Sequence, residues 1–242
     1  MFLKSVHMNG KLKIGIIGAG HIGSTLTRHF TRLGHDVAVA NSRGPESLRD
    51  LAKETGAKPV TVSEATRGRD LVIVTIPEAK IPKLPRGLFS DAGKELIVID
   101  TGNYYPRHRD GKIEGIENGL LESRWVEQKL GHPVIKVFNN IYAEHLAKLG
   151  KPAGAPGRIA LPVAGDDPKA KAVVMKLVND IGFDAVDTGG PDESWRQQPG
   201  TPVYTTDFDA AGVRRALSEA QRERKPEWRA TTKSPGTYNA PS

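Results

Sequence analysis

Along the first half of the chain, short apolar runs alternate with longer amphipathic segments. Four apolar runs, at residues 13–18, 36–40, 71–76 and 96–100, have the length of strands that are buried on both faces. Between the first two runs, apolar residues from Ile22 to Leu33 recur at helical spacing. Strands separated by helices predict a parallel, doubly wound sheet that carries helices on both of its faces.

The second half of the chain has shorter and less regular elements. We predict helices over residues 117–130, 141–149, 168–181 and 210–224, and strands over residues 134–138, 161–164 and 184–187. One of these helices is predicted to begin at Asp167 and Pro168, because Asp is a favourable N-cap and Pro a favourable first residue. Such alternating elements predict a small α/β lobe after the main sheet.

The composition is typical of a globular protein, with 242 residues, 38% hydrophobic and 26% charged. No apolar stretch reaches the roughly 18 residues of a membrane-spanning helix, so we expect no membrane partner. The chain has no cysteine, which excludes disulfides and zinc–sulfur sites and favours a cytoplasmic location. The net charge is +7, but the chain has no basic run and no basic aromatic strand, so we expect no nucleic-acid partner.

A glycine-rich sequence follows the first predicted strand and opens the first predicted helix. Residues 18–23 read Gly-Ala-Gly-His-Ile-Gly, which is a G-x-G-x-x-G sequence in the context of a βαβ unit. Glycines allow a tight turn and a close approach of the backbone to a diphosphate, which the free N–H groups of the helix then bind. We therefore predict that a dinucleotide contacts Gly18, Ala19, Gly20, His21, Ile22 and Gly23.

The end of the second predicted strand indicates which dinucleotide is bound. An NAD site places Asp or Glu there to bind the ribose hydroxyls, whereas this chain has Asn41, Ser42 and Arg43. No carboxylate at this point repels a 2′-phosphate, and Arg43 can give it a charge-assisted hydrogen bond. The sequence therefore predicts NADP(H) as the coenzyme, and the fold class α/β, a Rossmann doubly wound parallel sheet with a small C-terminal α/β lobe.

Polar residues follow three further predicted strands, at the edge where the crevice of such a sheet lies. The candidates for contact with the nicotinamide half or with a second substrate are Thr75, Ile76, Pro77, Asn103, Asn139 and Asn140. Each also has a structural interpretation, because Pro ends strands and Asn favours turns.

These predictions divide the chain into four parts. We expect an N-terminal extension over residues 1–10 and an NADP-binding Rossmann domain over residues 11–133. A C-terminal lobe follows over residues 134–225, and a flexible basic tail over residues 226–242. The tail is predicted to be flexible because Pro, Ser, Thr, Gly and Asn dominate it.

Other kinds of chemistry have little support in the sequence. The histidines show no His-x-x-x-His spacing, and no G-x-S-x-G sequence is present, so neither a helical zinc pair nor a nucleophilic serine is indicated. We predict no metal ligand and no catalytic side chain. The residues at the predicted crevice include no obvious buried acid–base pair, which is compatible with catalysis by positioning alone.

Three segments of the chain resemble the NADPH-dependent reductases of the deazaflavin coenzyme F-420. They are residues 14–23 together with 41–43, residues 74–77, and residues 162–175 with their Gly-Asp-Asp sequence. The resemblance implies a homodimer, NADP(H) held by the glycine-rich turn with Ser42 and Arg43, and a deazaflavin as the small-molecule co-substrate.

The same resemblance implies positions for three further residues. Ile76 and Pro77 are implied to lie near the coenzyme, and Asn139 near the facing ring. The chain departs from the family at Glu78, where an aromatic residue is common, and at Ser47, where a basic residue is common.

The sequence leaves several acceptors and one other class of function open. A flavin, a quinone, an imine or another small acceptor can replace the deazaflavin as the oxidant of NADPH. A non-catalytic NADPH sensor, which binds a partner through the basic tail, is the alternative from another class. Turnover with any acceptor would exclude the sensor.

Overall fold

The computed structural model describes residues 10–93 and 95–234 of the chain, and its main element is a six-stranded parallel sheet. The strand order is β3-β2-β1-β4-β5-β6, as in a Rossmann fold. The strands are β1 (Lys13–Ile17), β2 (Asp36–Ala40), β3 (Lys58–Pro59), β4 (Leu71–Val74), β5 (Ile97–Asp100) and β6 (Ile135–Lys136). The predicted fold class is therefore confirmed.

Helices cover both faces of this sheet. They are α1 (His21–Arg32), α2 (Arg49–Thr55), α3 (Glu114–Glu117), α4 (Glu122–Leu130) and α5 (Ala143–Lys148). Alternate residues of β4 face opposite sides: Leu71 packs in the core that contains α1, whereas Val72 packs in the core that contains α4. Burial on both faces explains why this strand is a continuous apolar run in the sequence.

A second, two-stranded parallel sheet forms the C-terminal lobe. It pairs β7 (Ala160–Val163) with β8 (Asp184–Asp187), which α6 (Pro168–Asp180) connects, and α7 (Ala210–Glu219) packs beside it. The predicted start of α6 is confirmed, because the Asp167 carboxylate accepts hydrogen bonds from the backbone N–H groups of Lys169 and Ala170 at 2.8 and 3.4 Å.

The two sheets are joined by backbone hydrogen bonds. The N–H of Lys136 donates to the carbonyl of Ala164 at 2.8 Å, and the N–H of Ala164 donates back at 3.0 Å. This antiparallel bridge ties β6, the last strand of the large sheet, to the end of β7. The core that contains α1 also continues through the bridge, since it includes both Ile135 and Val163.

Several predicted boundaries differ from the structure. The domain boundary placed after residue 133 is too early, because β6 follows it and pairs with β5 in the large sheet. The helix predicted over residues 117–130 begins only at Glu122, and the helix predicted to end at residue 224 ends at Glu219. The strand β3 was missing from the prediction, because its two residues, Lys and Pro, form no apolar run.

The prediction of a flexible tail is wrong for residues 226–234. Pro226–Trp228 form a 3-10 turn, and the indole of Trp228 packs over Gly200. Ala230 is buried, and its backbone N–H donates to the carboxylate of Glu117 at 2.7 Å. Residues 235–242, like residues 1–9 of the predicted N-terminal extension, lie outside the described part of the chain.

In the part of the chain that the structure describes, none of the helices has the length and apolar character needed to span a membrane.

Candidate functional site

The turn between β1 and α1 has the geometry that the glycine-rich sequence predicts. Gly18 adopts a φ of +110°, and a Cβ there would collide with the carbonyl oxygen of Thr75. A Cβ at Gly23 would collide with the carbonyl oxygen of Gly18, so helix and turn are in direct contact. A Cβ at Gly20 would meet none of the described residues within 4 Å, so the backbone there faces open space.

The start of α1 is suited to an anion. Its N-cap, Gly20, provides no side-chain hydrogen bond to the free N–H groups, and the first turn holds no acidic residue. The unpaired N–H groups and the positive end of the helix dipole therefore point toward the open space beside Gly20.

A cavity of about 790 Å³ opens in front of this turn. Its walls come from the carboxyl ends of β1, β2 and β4 and from the segments that follow them. The lining residues are Ile17, Gly18, Ala19, Gly20, Asn41, Ser42, Arg43, Val62, Thr75, Ile76, Pro77, Lys80, Lys83, Leu84 and Pro85. The volume and the carboxyl-edge position are those of a nucleotide site in an open α/β sheet.

At the end of β2, Asn41 shapes the loop while its neighbours remain free. The Asn41 amide oxygen accepts from the N–H of Arg43 at 2.9 Å, and its NH₂ donates to the Ser47 hydroxyl at 2.9 Å. The side chains of Ser42 and Arg43 are exposed and have no hydrogen-bond or ion-pair partner among the residues that the structure describes. They are therefore available to an anionic ligand.

The structure brings most of the predicted site residues together and separates three of them. Residues 18–20, 41–43 and 75–77 all line the cavity, and residues 21–23 form the first turn of α1 behind it. Asn103, Asn139 and Asn140 lie instead at the ends of β5 and β6 and do not line this cavity.

The amide of Asn139 is fully engaged within the protein. Its NH₂ donates to the Asn103 amide oxygen at 3.0 Å and to the Gln197 carbonyl at 2.8 Å, and its oxygen accepts from Gln197 Nε2 at 2.9 Å. All three side chains are buried. This network connects the ends of β5 and β6 to the 3-10 helix Pro191–Gln197, so Asn139 holds the edge of the sheet in place.

Next to this network the backbone is strained and a polar side chain is unpaired. Phe138 and Thr205 adopt φ values of +66° and +57°, which residues with a Cβ rarely do. The N–H of Thr205 donates to the carbonyl of Asn140 at 2.8 Å. The buried amide of Asn140 has no hydrogen-bond partner within the described residues. Such features concentrate at functional sites.

Two tyrosines lie beside the same network. The hydroxyls of Tyr105 and Tyr204 are hydrogen-bonded to each other, and Tyr105 follows Asn103 on the chain. Burial raises the pKa of Tyr105, and burial together with its tyrosine partner raises the pKa of Tyr204 above its ordinary value. Both phenols are therefore protonated at neutral pH and can donate hydrogen bonds.

A buried ionic cluster lies directly behind the cavity, contrary to the expectation of no buried acid–base pair. The Lys136 ammonium contacts Asp100 at 2.7 Å and Glu78 at 4.0 Å, and each of the three side chains is at most 1% exposed. Glu78 follows Pro77, and a Cβ at Gly102 would approach its carboxyl at 2.9 Å. The cluster therefore ties the segment after β4 to the carboxyl ends of β5 and β6.

The protonation states in this cluster follow from burial and charge. Burial raises the pKa of Glu78 well above its ordinary value, although the nearby Lys136 acts in the opposite direction. Burial alone would lower the pKa of Lys136, but the Asp100 carboxylate, which accepts its hydrogen bond at 2.7 Å, raises it, so the lysine stays charged. In the sequence, Glu78 follows a strand end and gives no signal of burial, whereas Lys136 interrupts a predicted apolar strand.

Comparison with known proteins connects this geometry to a family. The family described as "NADP oxidoreductase coenzyme F420-dependent" matches residues 13–104, which include the glycine-rich turn, Ser42, Arg43 and the end of β4. The match is confined to these residues, so the similarity to this family of NAD(P)-dependent oxidoreductases holds for the Rossmann sheet. It supports a nicotinamide dinucleotide as the ligand of that sheet.

Two solved structures are similar to this protein over most of the chain. A hypothetical protein, SMa0349 from Sinorhizobium meliloti, is 30% identical, with a TM-score of 0.68 over 83% of this chain and 96% of the other. A proposed F420-dependent NADP reductase from Arthrobacter sp. FB24 is 23% identical, with a TM-score of 0.60 over 76% of this chain and 87% of the other. At 23% identity, the similarity to the Arthrobacter protein supports the fold alone.

A curated relative, the protein YjhV of Escherichia coli K12, is 54% identical over 71 residues, which is 29% of this chain and 52% of that protein. The match thus spans about half the length of this curated relative.

Proposed function

We propose that the protein transfers a hydride between NADP(H) and a deazaflavin coenzyme of the F-420 type. One observation carries the NADP(H) part: the cavity joins a free helix N-terminus to Ser42 and Arg43, and among the residues that the structure describes these two side chains have no partner and no carboxylate lines the cavity. The open space at Gly20 fits a diphosphate against the backbone. The deazaflavin part is supported by the match of residues 13–104 to a family described as coenzyme F420-dependent.

In this proposal the residues of the chain bind and orient. The N–H groups at the start of α1 hold the diphosphate, and Ser42 with Arg43 binds the 2′-phosphate. Thr75, Ile76 and Pro77 form the wall that directs the nicotinamide half toward the ends of β5 and β6. The bound coenzyme supplies a hydride, and positioning two flat rings in contact can accelerate its transfer by several orders of magnitude.

The acceptor is placed at the ends of β5 and β6, next to the asparagine network. Adjacent strands lie about 4.8 Å apart, so the end of β6 is about 10 Å from the end of β4. A ring that lies against Asn103 and Asn139 therefore faces a nicotinamide that lies against Thr75. The unpaired amide of Asn140 and the strained backbone at Phe138 and Thr205 support this placement.

The test is an acceptor screen that follows the loss of NADPH absorbance with oxidised coenzyme F-420, a flavin, a quinone and a cyclic imine. We expect turnover with F-420, and direct transfer of deuterium from labelled NADPH to the acceptor. Tight NADPH binding without turnover on any acceptor would contradict the proposal and favour the sensor alternative. Light scattering tests the homodimer that we propose as the working assembly.

A second candidate function, reduction of an imine or a carbonyl, is favoured by the hydroxyl pair of Tyr105 and Tyr204. Such substrates need a proton on nitrogen or oxygen after hydride transfer, and a buried phenol can donate it. Replacing Tyr204 by Phe distinguishes the two candidates. Imine turnover should fall by about 100-fold or more, whereas deazaflavin turnover should change by less than about tenfold.

A further inference from the structure

Two lysines on the wall opposite Arg43 have no role in the arrangement described so far. Lys80 and Lys83 lie on the 3-10 helix Glu78–Lys83, which follows β4, and both line the cavity in front of the glycine-rich turn. Both are exposed, and neither ammonium has a hydrogen-bond or ion-pair partner in the described parts of the chain.

The geometry of this 3-10 helix points the two lysines in the same direction. A 3-10 helix has three residues per turn, so residues three apart lie on one side. Glu78 and Ile81 form the inner side and are 0% and 2% exposed. Lys80 and Lys83 form another side, which faces the cavity. Because the inner side is anchored in the protein, the lysines are held at fixed positions along the cavity wall.

Together with Arg43, the lysines surround the cavity with three positive charges. Within residues 10–93 and 95–234, the lining includes no Asp or Glu that would offset them. In the segment after β2, Arg49 is paired with Glu46, and the Ser47 hydroxyl is bonded to Asn41. Among the described residues, this segment therefore offers Arg43 as its free cation. Like charges around one cavity favour a multiply charged anion as the occupant.

The position of the lysines indicates which phosphate they bind. Pro77 lies next to the glycine-rich turn, and a rise of about 2 Å per residue places Lys83 about 12 Å farther along the wall. This part of the cavity also contains Val62, Leu84 and Pro85, an apolar surface suited to a flat base. The lysines therefore lie on the adenosine side and away from the start of α1, where the diphosphate binds.

We propose that Lys80 and Lys83 bind the 2′-phosphate of NADP(H) from the wall opposite Ser42 and Arg43, and that they determine the selectivity for this coenzyme over NAD(H). The proposal rests on the proposed function, because it assigns residues within the same coenzyme site. It makes the phosphate pocket two-sided, with cations contributed by the segments after β2 and after β4.

The experiment measures binding of two fragments by calorimetry, adenosine 2′,5′-bisphosphate and 5′-AMP, without any turnover. The variants are Lys80→Gln, Lys83→Gln and the double variant, and Lys169→Gln is the matched control, since Lys169 is an exposed lysine outside the cavity. We expect each single variant to weaken binding of the bisphosphate about 3- to 10-fold, and the double variant about 10- to 100-fold.

Binding of 5′-AMP should change less than about twofold in every variant, and the control should match the wild type. A shallower dependence of bisphosphate affinity on salt concentration should accompany the loss of each charge. Thermal melting checks that the variants are folded, which exposed Lys→Gln changes should allow.

Unchanged bisphosphate affinity in the double variant would overturn this proposal and leave the NADP(H) function intact. Equal weakening of both fragments would also overturn it, because the lysines would then contact the shared part of the nucleotide. A wild-type protein that binds neither the bisphosphate nor NADPH would overturn the proposed function together with this inference.

Discussion

At the scale of single residues, Arg43 gives a direct test of coenzyme choice. Its guanidinium lies at the end of β2, where an NAD enzyme would have a carboxylate, and it has no partner in the described part of the chain. We expect Arg43→Ala to raise the KM for NADPH by about 10- to 100-fold, because a charged hydrogen bond is worth about 1.5–3 kcal/mol. Steady-state kinetics should show little change with NADH. An equal loss with both coenzymes would mean that Arg43 has a structural role.

A second residue, Glu78, should make the stability depend on pH. Because burial raises its pKa, the folded protein keeps the carboxyl protonated at pH values where the unfolded chain has lost the proton. The contribution of Glu78 to wild-type stability should therefore decrease as the pH rises from about 4.3, the ordinary pKa of Glu, toward the raised pKa. The slope contributed by this residue should approach about 1.4 kcal/mol per pH unit.

The glutamine variant removes this titration. Denaturant unfolding of Glu78→Gln between about pH 4 and pH 8 should show a stability, relative to the wild type, that increases with pH, with the largest gain at the high-pH end. The exposed Glu219→Gln serves as the control and should keep the wild-type slope. Parallel profiles for wild type and Glu78→Gln would show that Glu78 is ionised in the folded protein.

The residues of the site differ in how far the sequence reveals them. The glycine-rich turn and Arg43 are found from sequence because their chemistry is local: a turn, a helix start and the residue that ends a strand. Lys136 and Asp100 are 36 positions apart, and only the pairing of β5 with β6 brings their charges together. Local patterns contain no information about such a contact, so the buried cluster was missed.

At the scale of elements, the asparagine network should behave as one structural unit. Replacing either Asn139 or Gln197 by Ala leaves buried polar groups on the other unpaired, which costs about 1–3 kcal/mol of unfolding free energy. The double variant should cost clearly less than the sum of the two single variants, because both remove the hydrogen bond from Gln197 Nε2 to the Asn139 amide oxygen. Denaturant unfolding measures all three. Strict additivity would mean that the two side chains act independently.

The C-terminal segment is a second element whose role can be measured. Ending the chain after Lys225 removes Trp228 from Gly200 and removes the contacts of Arg229 and Ala230 with Glu117. We expect a loss of roughly 1–3 kcal/mol in unfolding free energy, seen as a lower melting temperature. Ending the chain after Ser234 keeps all these contacts and is the matched control. Equal melting temperatures for the two truncations would contradict the packing of this segment.

Elements with strong periodicity were predicted well, and elements defined by long-range contacts were not. The buried strands β1, β2, β4 and β5 appear as apolar runs because both of their faces are covered. The 226–234 segment has the composition of a loop, and its order comes from a few contacts with distant residues such as Gly200 and Glu117. Composition alone therefore favoured flexibility.

At the scale of the whole molecule, the bridge between Lys136 and Ala164 makes the two sheets mechanically continuous. One hydrophobic core extends across the bridge, and it contains Ile135 of the large sheet and Val163 of the small sheet. We expect a single calorimetric transition in which the calorimetric and van't Hoff enthalpies agree. Two separate transitions would show that the Rossmann sheet and the lobe unfold independently.

This continuity also affects how the acceptor would enter and leave. Hinged enzymes exchange ligands by swinging one domain away from another, and their turnover often slows as solvent viscosity rises. Here the crevice floor passes without a break from β5 and β6 into β7, so no such swing is available without breaking backbone hydrogen bonds. Entry and exit of the acceptor then depend on movements of side chains and surface loops. Turnover should therefore show only the viscosity dependence that diffusion of the acceptor imposes.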